Sequence, residues 1–138
     1  MKIFDKSVKI SESLFPEIYD STKKYRTFHF SFAWKKNKLI SIGINNPFMV
    51  NSKALKFAQR FNTKKQIKYP YLHAEIDMIS RVWGKTRIDG SIKVVVLRLN
   101  SAGQLKNSKP CRSCASILEA LDVDNIWWSD SVGNIVNV

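Results

Sequence analysis

A chain of 138 residues can bury one hydrophobic core without disulfide or metal staples. With 44 % hydrophobic and 12 % aromatic residues and only 5 glycines and 4 prolines, disorder and low-complexity architectures are excluded, and one domain over 1–138 is expected. Lys and Arg total 23 against 11 acids, so the formal charge is +12, a surplus that suits phosphate-bearing partners as well as plain solubility.

No apolar run nears the roughly 20 residues a bilayer span needs. The opening MKIFDKSVKISESLF is broken by charge every few residues, which argues against a signal peptide and for a cytoplasmic location. A first helix is predicted over 8–24, from Ile10, Leu14 and Ile18 at helical spacing. In TFHFSFAWKK, Phe28, Phe30 and Phe32 alternate with His29, Ser31 and Ala33, the period of a strand. A turn at 36–38 leads into LISIGINN, a second strand, so the two form a hairpin. A basic connection follows, acid-free from 51 to 74 and carrying Lys53, Lys56, Arg60, Lys64, Lys65 and Lys68, with a short helix predicted over 52–61.

The next helix, over 72–83, aligns Ile76, Ile79 and Val82 on one side. IKVVVLRL, 92–99, is the most apolar strand and is expected at the sheet centre. After the loop NSAGQLKNSKP come a helix over 111–121, the strand NIWWS, the turn DSVGN and a last strand IVNV. A parallel crossover takes a dozen residues or so, and the turn is too short for one, so the last two strands should be antiparallel. This order predicts an α/β layered domain with a mixed five-stranded sheet, the helices at 72 and 111 crossing between neighbouring strands.

Two short motifs carry chemistry. In KPCRSC, Pro110 presets a helix start, and Cys111 and Cys114 stand three apart, on one side of the first turn. The positive end of the helix favours their thiolates, so the pair supplies half of a zinc site. In YLHAEIDMIS, His73 and Glu75 diverge by about 200° on a helix and can share a target only end-on. Two helix tips meeting over one ion would satisfy both motifs, with Ala74 small enough to leave a ligand room. Three ligands, His73, Cys111 and Cys114, leave zinc a fourth position for water, whose proton Glu75 could take. Rival readings are a redox dithiol and a closed structural zinc using His29, the second of the 2 histidines.

The joint pattern His73-Ala74-Glu75 with Pro110-Cys111-Arg112-Ser113-Cys114 resembles the zinc-dependent deaminases of the cytidine deaminase superfamily. The resemblance implies a three-layer fold and a zinc cofactor on His73, Cys111 and Cys114. It implies Glu75 as proton shuttle for water attack on C4 of a cytosine-type ring or C6 of an adenine-type ring. Gly43 and Asn45 in SIGINNP fall where many members carry a glycine and a substrate-binding Asn, Asn46 being the substitute, and Ala74 is assigned to the substrate as well.

The hairpin C-terminus looks like the branch of free cytidine, blasticidin-type and some polynucleotide deaminases, less like deoxycytidylate and tRNA adenosine deaminases. Two departures stand out: His73 replaces the usual first Cys, and Pro47 replaces a glutamate that grips ribose. The implied substrate is a cytosine-type nucleoside or nucleotide, with Lys64, Lys65 and Lys68 available to a phosphate. Single-stranded nucleic acid is the rival substrate, and a homo-oligomer follows by analogy. A non-catalytic basic zinc-binding module is the alternative class, against which Glu75 argues.

Overall fold

The computed structural model of the protein describes residues 2–21, 27–50 and 71–137. The basic run 53–68 and the helix expected over 52–61 lie outside the described residues. Helix α1 (Lys2–Ser21) starts six residues before the predicted boundary. Ile3 and Phe4, both buried, extend the Ile10, Leu14, Ile18 stripe toward the start of the helix. Ser7 lies in that stripe because its hydroxyl is doubly used, donating to Ile3 O at 2.7 Å and accepting from Trp34 Nε1 at 2.9 Å.

Strands β1 (Thr27–Lys35) and β2 (Lys38–Ile44) form the expected hairpin. Lys36 and Asn37 both adopt positive φ at its turn, the backbone a two-residue connection between twisted strands requires. Two short strands, β3 (Asn46–Val50) and β4 (Tyr71–Leu72), pair antiparallel with Asn46 opposite Leu72. That pairing places Asn45 and His73, the next residues along each strand, at one end of the ladder.

Helix α2 (Ala74–Val82) leads to β5 (Lys93–Asn100), and helix α3 (Arg112–Ala120) leads to β7 (Asn125–Ser129) and β8 (Ile135–Asn137). The order across the sheet is β2-β1-β5-β7-β8, so β5 sits at the centre as its apolar sequence demands. A sixth strand, β6 (Leu105–Lys106), pairs with β5 inside what the sequence reads as loop. The connection through α3 joins parallel neighbours β5 and β7, and β7 and β8 are antiparallel, both as expected.

The connection through α2 differs from expectation. It passes from β2 to β5 over β1, which lies between them, so these strands are not neighbours. The β1–β2 hairpin folds outward to the sheet edge, and the chain must step across it to reach the centre.

Side-chain alternation builds the two outer layers. Phe28, Phe30, Phe32, Val95, Leu97 and Leu99 face α1, where Phe15 meets Phe28 edge-on at 5.1 Å. On the other face, Ala33, Val94 and Val96 pack with Ile76, Met78 and Ile79 of α2 and Ile117 and Leu118 of α3. Each large side chain so buried contributes about 1.5–3 kcal/mol of transfer free energy. Trp127 and Trp128, adjacent on β7, fall in opposite layers as strand geometry requires. Among the described residues, no helix is long and apolar enough to cross a membrane.

Candidate metal centre and active site

The start of α2 is set by β2. A Cβ on Gly43 would lie 2.1 Å from Ala74 O and 2.4 Å from Met78 N, so only glycine admits the first turn of the helix this close. Ser41 Oγ donates to Met78 O at 2.9 Å. The buried Asp77 carboxylate accepts from Ile44 N at 3.0 Å and from Arg81 Nε at 3.2 Å. The helix is thereby tied to the strand end that carries Asn45. His73 is its N-cap, with extended backbone and no capping hydrogen bond from its side chain. Ser, Thr, Asp or Asn would normally cap here; the imidazole is aimed elsewhere.

The start of α3 is set by two buried serines. Ser108 Oγ donates to Val96 O at 2.6 Å and accepts from Ser129 N at 2.8 Å, while Ser129 Oγ donates to Lys106 O at 2.7 Å. Ser108 N also donates to Ser129 O at 2.9 Å. These bonds pin the segment before Pro110 to the ends of β5 and β7 and satisfy backbone groups that burial would otherwise orphan. Cys111 is then the N-cap of α3, its sulfur accepting from Cys114 N at 3.5 Å.

The two helix starts converge. His73 Nδ1 lies 3.7 Å from Cys111 Sγ and 3.5 Å from Cys114 Sγ, and the three donor atoms all fall within 4.8 Å of one another. Tetrahedral coordination with bonds of about 2.3 Å to sulfur and 2.05 Å to nitrogen separates such donors by about 3.6 Å. One imidazole and two thiols at this spacing fit a tetrahedral ion such as zinc. Among the described residues, this is the group of His, Cys and acidic side chains with such spacing, and His29 is not part of it.

The two sulfurs have opposite character. Hydrogen bonds from Cys114 and His73 hold the Cys111 thiol at about 4, far below its ordinary 9.0, against the opposing effect of burial. Cys114 is pushed well above 9.0, first because it donates to Cys111 and then because it is buried. Without metal, the pair therefore holds a thiolate at Cys111 and a proton at Cys114. Glu75, 6 % exposed in the first turn of α2, is raised above 4.5 by burial and then by the Cys111 charge. Cys111, His73 and Cys114 all act on the Glu75 carboxyl, which sits with them at the start of α2.

Of the other residues singled out in the sequence, Asn45 lies at the same end. Its Oδ1 accepts from His29 N at 2.9 Å and its N–H donates to His29 O at 3.3 Å, so the side-chain oxygen is committed to β1. Ala74 is buried in the first turn of α2. Lys64, Lys65 and Lys68 lie outside the described residues. Sequence reasoning missed Asp77, Ser108 and Ser129. The available signal for Asp77 was an acid inside an otherwise apolar run, Ile76-Asp77-Met78-Ile79.

No protein-family model and no curated protein matches this sequence. Among solved structures, the chain is similar to the apo form of a dCMP deaminase from the cyanophage S-TIM5, with a TM-score of 0.55 at 16 % identity. The match covers 94 % of this chain and 83 % of that one. That relative is named for deoxycytidylate, the group ranked second on the C-terminal hairpin, although the hairpin itself is present here. The chain thus has the α/β fold of the cytidine-deaminase type, with a His-Cys-Cys cluster able to hold a metal ion.

Proposed function

We infer that the protein is a hydrolytic deaminase that converts a cytosine-type base, in a nucleoside or nucleotide, to the uracil form with release of ammonia. One observation carries this reading: His73 Nδ1 meets both sulfurs at 3.5 and 3.7 Å with the buried Glu75 carboxyl beside them. Likeness in fold to a dCMP deaminase supports it.

His73, Cys111 and Cys114 are the residues that would hold zinc. Zinc bound there supplies a Lewis acid that makes water acidic near neutral pH. Glu75 would take one proton from the attacking water and deliver it to the ring nitrogen, then carry that water's second proton to the leaving amino group. The C4–N bond breaks, a C4–O bond forms and ammonia leaves, so one water is consumed. A raised carboxyl pKa suits this exchange, because the group must both accept and donate near neutrality. Asn45 and the small Ala74 are assigned to substrate positioning. Trp128, 9 % exposed with Lys109 Nζ 5.9 Å from its ring, is a core residue and not a base-stacking platform.

The test is a substrate panel for the zinc-loaded protein, read by ammonia release and product mass. Cytosine, cytidine, deoxycytidine, deoxycytidine monophosphate and adenosine are the members. Turnover of at least one cytosine compound is expected, and Glu75→Gln should lower kcat by about 10²–10⁴ with zinc retained. No turnover at full zinc occupancy, or loss of zinc in the Glu75 variant, would overturn the reading.

A further inference from the structure

The mechanism above makes no use of Arg98. It lies near the end of β5, directly opposite His29 of β1 in the strand register. Val94 and Val96 face α2 and α3, so by strand alternation Arg98 leaves the sheet on that same side. It therefore belongs to the face and the end of the sheet where the two helix tips meet. The electrostatics agree. His29 is held at about 4 by burial first and then by the Arg98 charge, and it also feels His73 and Cys111. His29 adds no charge at pH 7, whereas Arg98 is a permanent cation on this face of the sheet.

Its guanidinium is poorly satisfied. Nη1 donates to Asn107 O at a long 3.4 Å, and Nε is buried with no hydrogen-bond partner. The ion pairs of Arg81 with Asp77 and of Arg87 with Asp89 have no counterpart at Arg98 among the described residues. Buried polar atoms without partners are rare, and each calls for an explanation such as a missing ion or ligand. A half-buried cation without a carboxylate is completed by an anion, and the planar guanidinium edge matches the oxygen pair of a phosphate.

We propose that Arg98 is the anion anchor of this site, binding the phosphate monoester of the substrate and so selecting nucleotide over nucleoside. Resting on the deaminase reading for the identity of the ligand, this assigns phosphate recognition to the sheet end. Sequence reasoning looked for it instead in the basic run 53–68. A mononucleotide is favoured over a phosphodiester strand because one half-buried guanidinium presents a single fixed charge, while strand binding needs a track of charges with stacking platforms.

The experiment is calorimetric titration of the zinc-loaded full chain and of Arg98→Gln with deoxycytidine monophosphate, deoxycytidine, inorganic phosphate and a short single-stranded DNA. The wild-type protein is expected to bind the nucleotide at least about tenfold more tightly than the nucleoside, the lower end for charge-assisted bonds. Arg98→Gln should weaken nucleotide binding about ten- to a hundredfold and leave nucleoside binding within about twofold. Equal wild-type affinities, equal losses of both ligands, or tighter binding of DNA than of the monophosphate would each overturn the proposal. If no cytosine compound binds, the deaminase reading fails and the phosphate arm decides alone. Phosphate binding lost in Arg98→Gln keeps the anchor, and absence of phosphate binding ends it. Should the Gln variant not fold, Arg98→Lys keeps the charge but loses the planar fork. Several-fold weaker nucleotide binding with nucleoside binding intact is then expected, and no change overturns the anchor.

Discussion

The two helix starts that meet at the candidate site are held in opposite ways. That of α2 is held from outside: β2 presses against it at Gly43, and Asp77 and Ser41 bind it to the strand. Its cap residue adds no side-chain bond to the helix: the His73 carbonyl accepts from Asp77 N at 3.0 Å, but the imidazole caps nothing. That of α3 is held from within and below: the Cys111 sulfur caps its own helix, and Ser108 and Ser129 fix the approach. The α2 tip donates a nitrogen from a cap position that histidine does not normally fill, beside a first-turn carboxyl. The α3 tip donates sulfurs that stabilise the helix they start. Damage to the supports should therefore be more severe at α2 than at α3.

The largest expected effect is breaking either tip outright. His73→Ala and Cys114→Ser each remove one of three donors and should lower zinc affinity by more than a hundredfold, beyond the 10–100-fold typical of residues that merely support ligands. Competition with a chromophoric chelator measures this, and retention of zinc by either variant would contradict the shared site.

Next comes Gly43→Ala. A new Cβ would meet backbone at 2.1 and 2.4 Å, which no side-chain rotation relieves. A loss of about 3 kcal/mol or more is expected, at or above the usual range for overpacking, together with weaker zinc binding. Urea unfolding with and without zinc separates the two. The matching variant on the other side, Ser108→Ala, removes hydroxyl bonds without a clash and should cost about 1–3 kcal/mol with zinc still bound. A larger loss from Ser108→Ala than from Gly43→Ala would invert the comparison.

The smallest effect concerns the metal-free thiols. Cys111, at about 4, is a thiolate at every pH above that value, whereas an unfolded thiol near 9.0 is not. The sign follows: its contribution favours the fold fully above about pH 9, declines below it and is lost as pH falls through about 4. In chelator-treated protein, iodoacetamide at pH 6 should label Cys111, which is exposed, far faster than the buried Cys114. Peptide mass mapping reads the ratio, and equal labelling would contradict the assigned asymmetry.

What the sequence disclosed and what it hid divide along the same line. The Phe28-Phe30-Phe32 alternation, the apolar β5 and the terminal hairpin were legible because period and turn length are local properties. The donors were legible too, since His73, Glu75, Cys111 and Cys114 sit in two short motifs whose meaning comes from being combined. The supports were not. Asp77 reaches Ile44 across 33 positions and Ser108 reaches Ser129 across 21, and no local pattern marks such contacts. Gly43 was visible as a residue preceding Asn45, but its reason, the close approach of α2, exists only once the helix is in place. The α2 crossover was expected between neighbouring strands and is not, for a related cause: nothing in the residues between β2 and β5 records that β1 lies between them. The two-residue β6 is too short to show any period.

The most direct measurement is X-ray absorption at the zinc edge of the metal-loaded protein. One zinc per chain is expected, with two sulfur neighbours at about 2.3 Å, one imidazole nitrogen at about 2.0–2.1 Å and one further light atom from solvent. A shell of four protein donors, or of sulfur alone, would contradict the claim that the α2 and α3 tips share one open-sided ion.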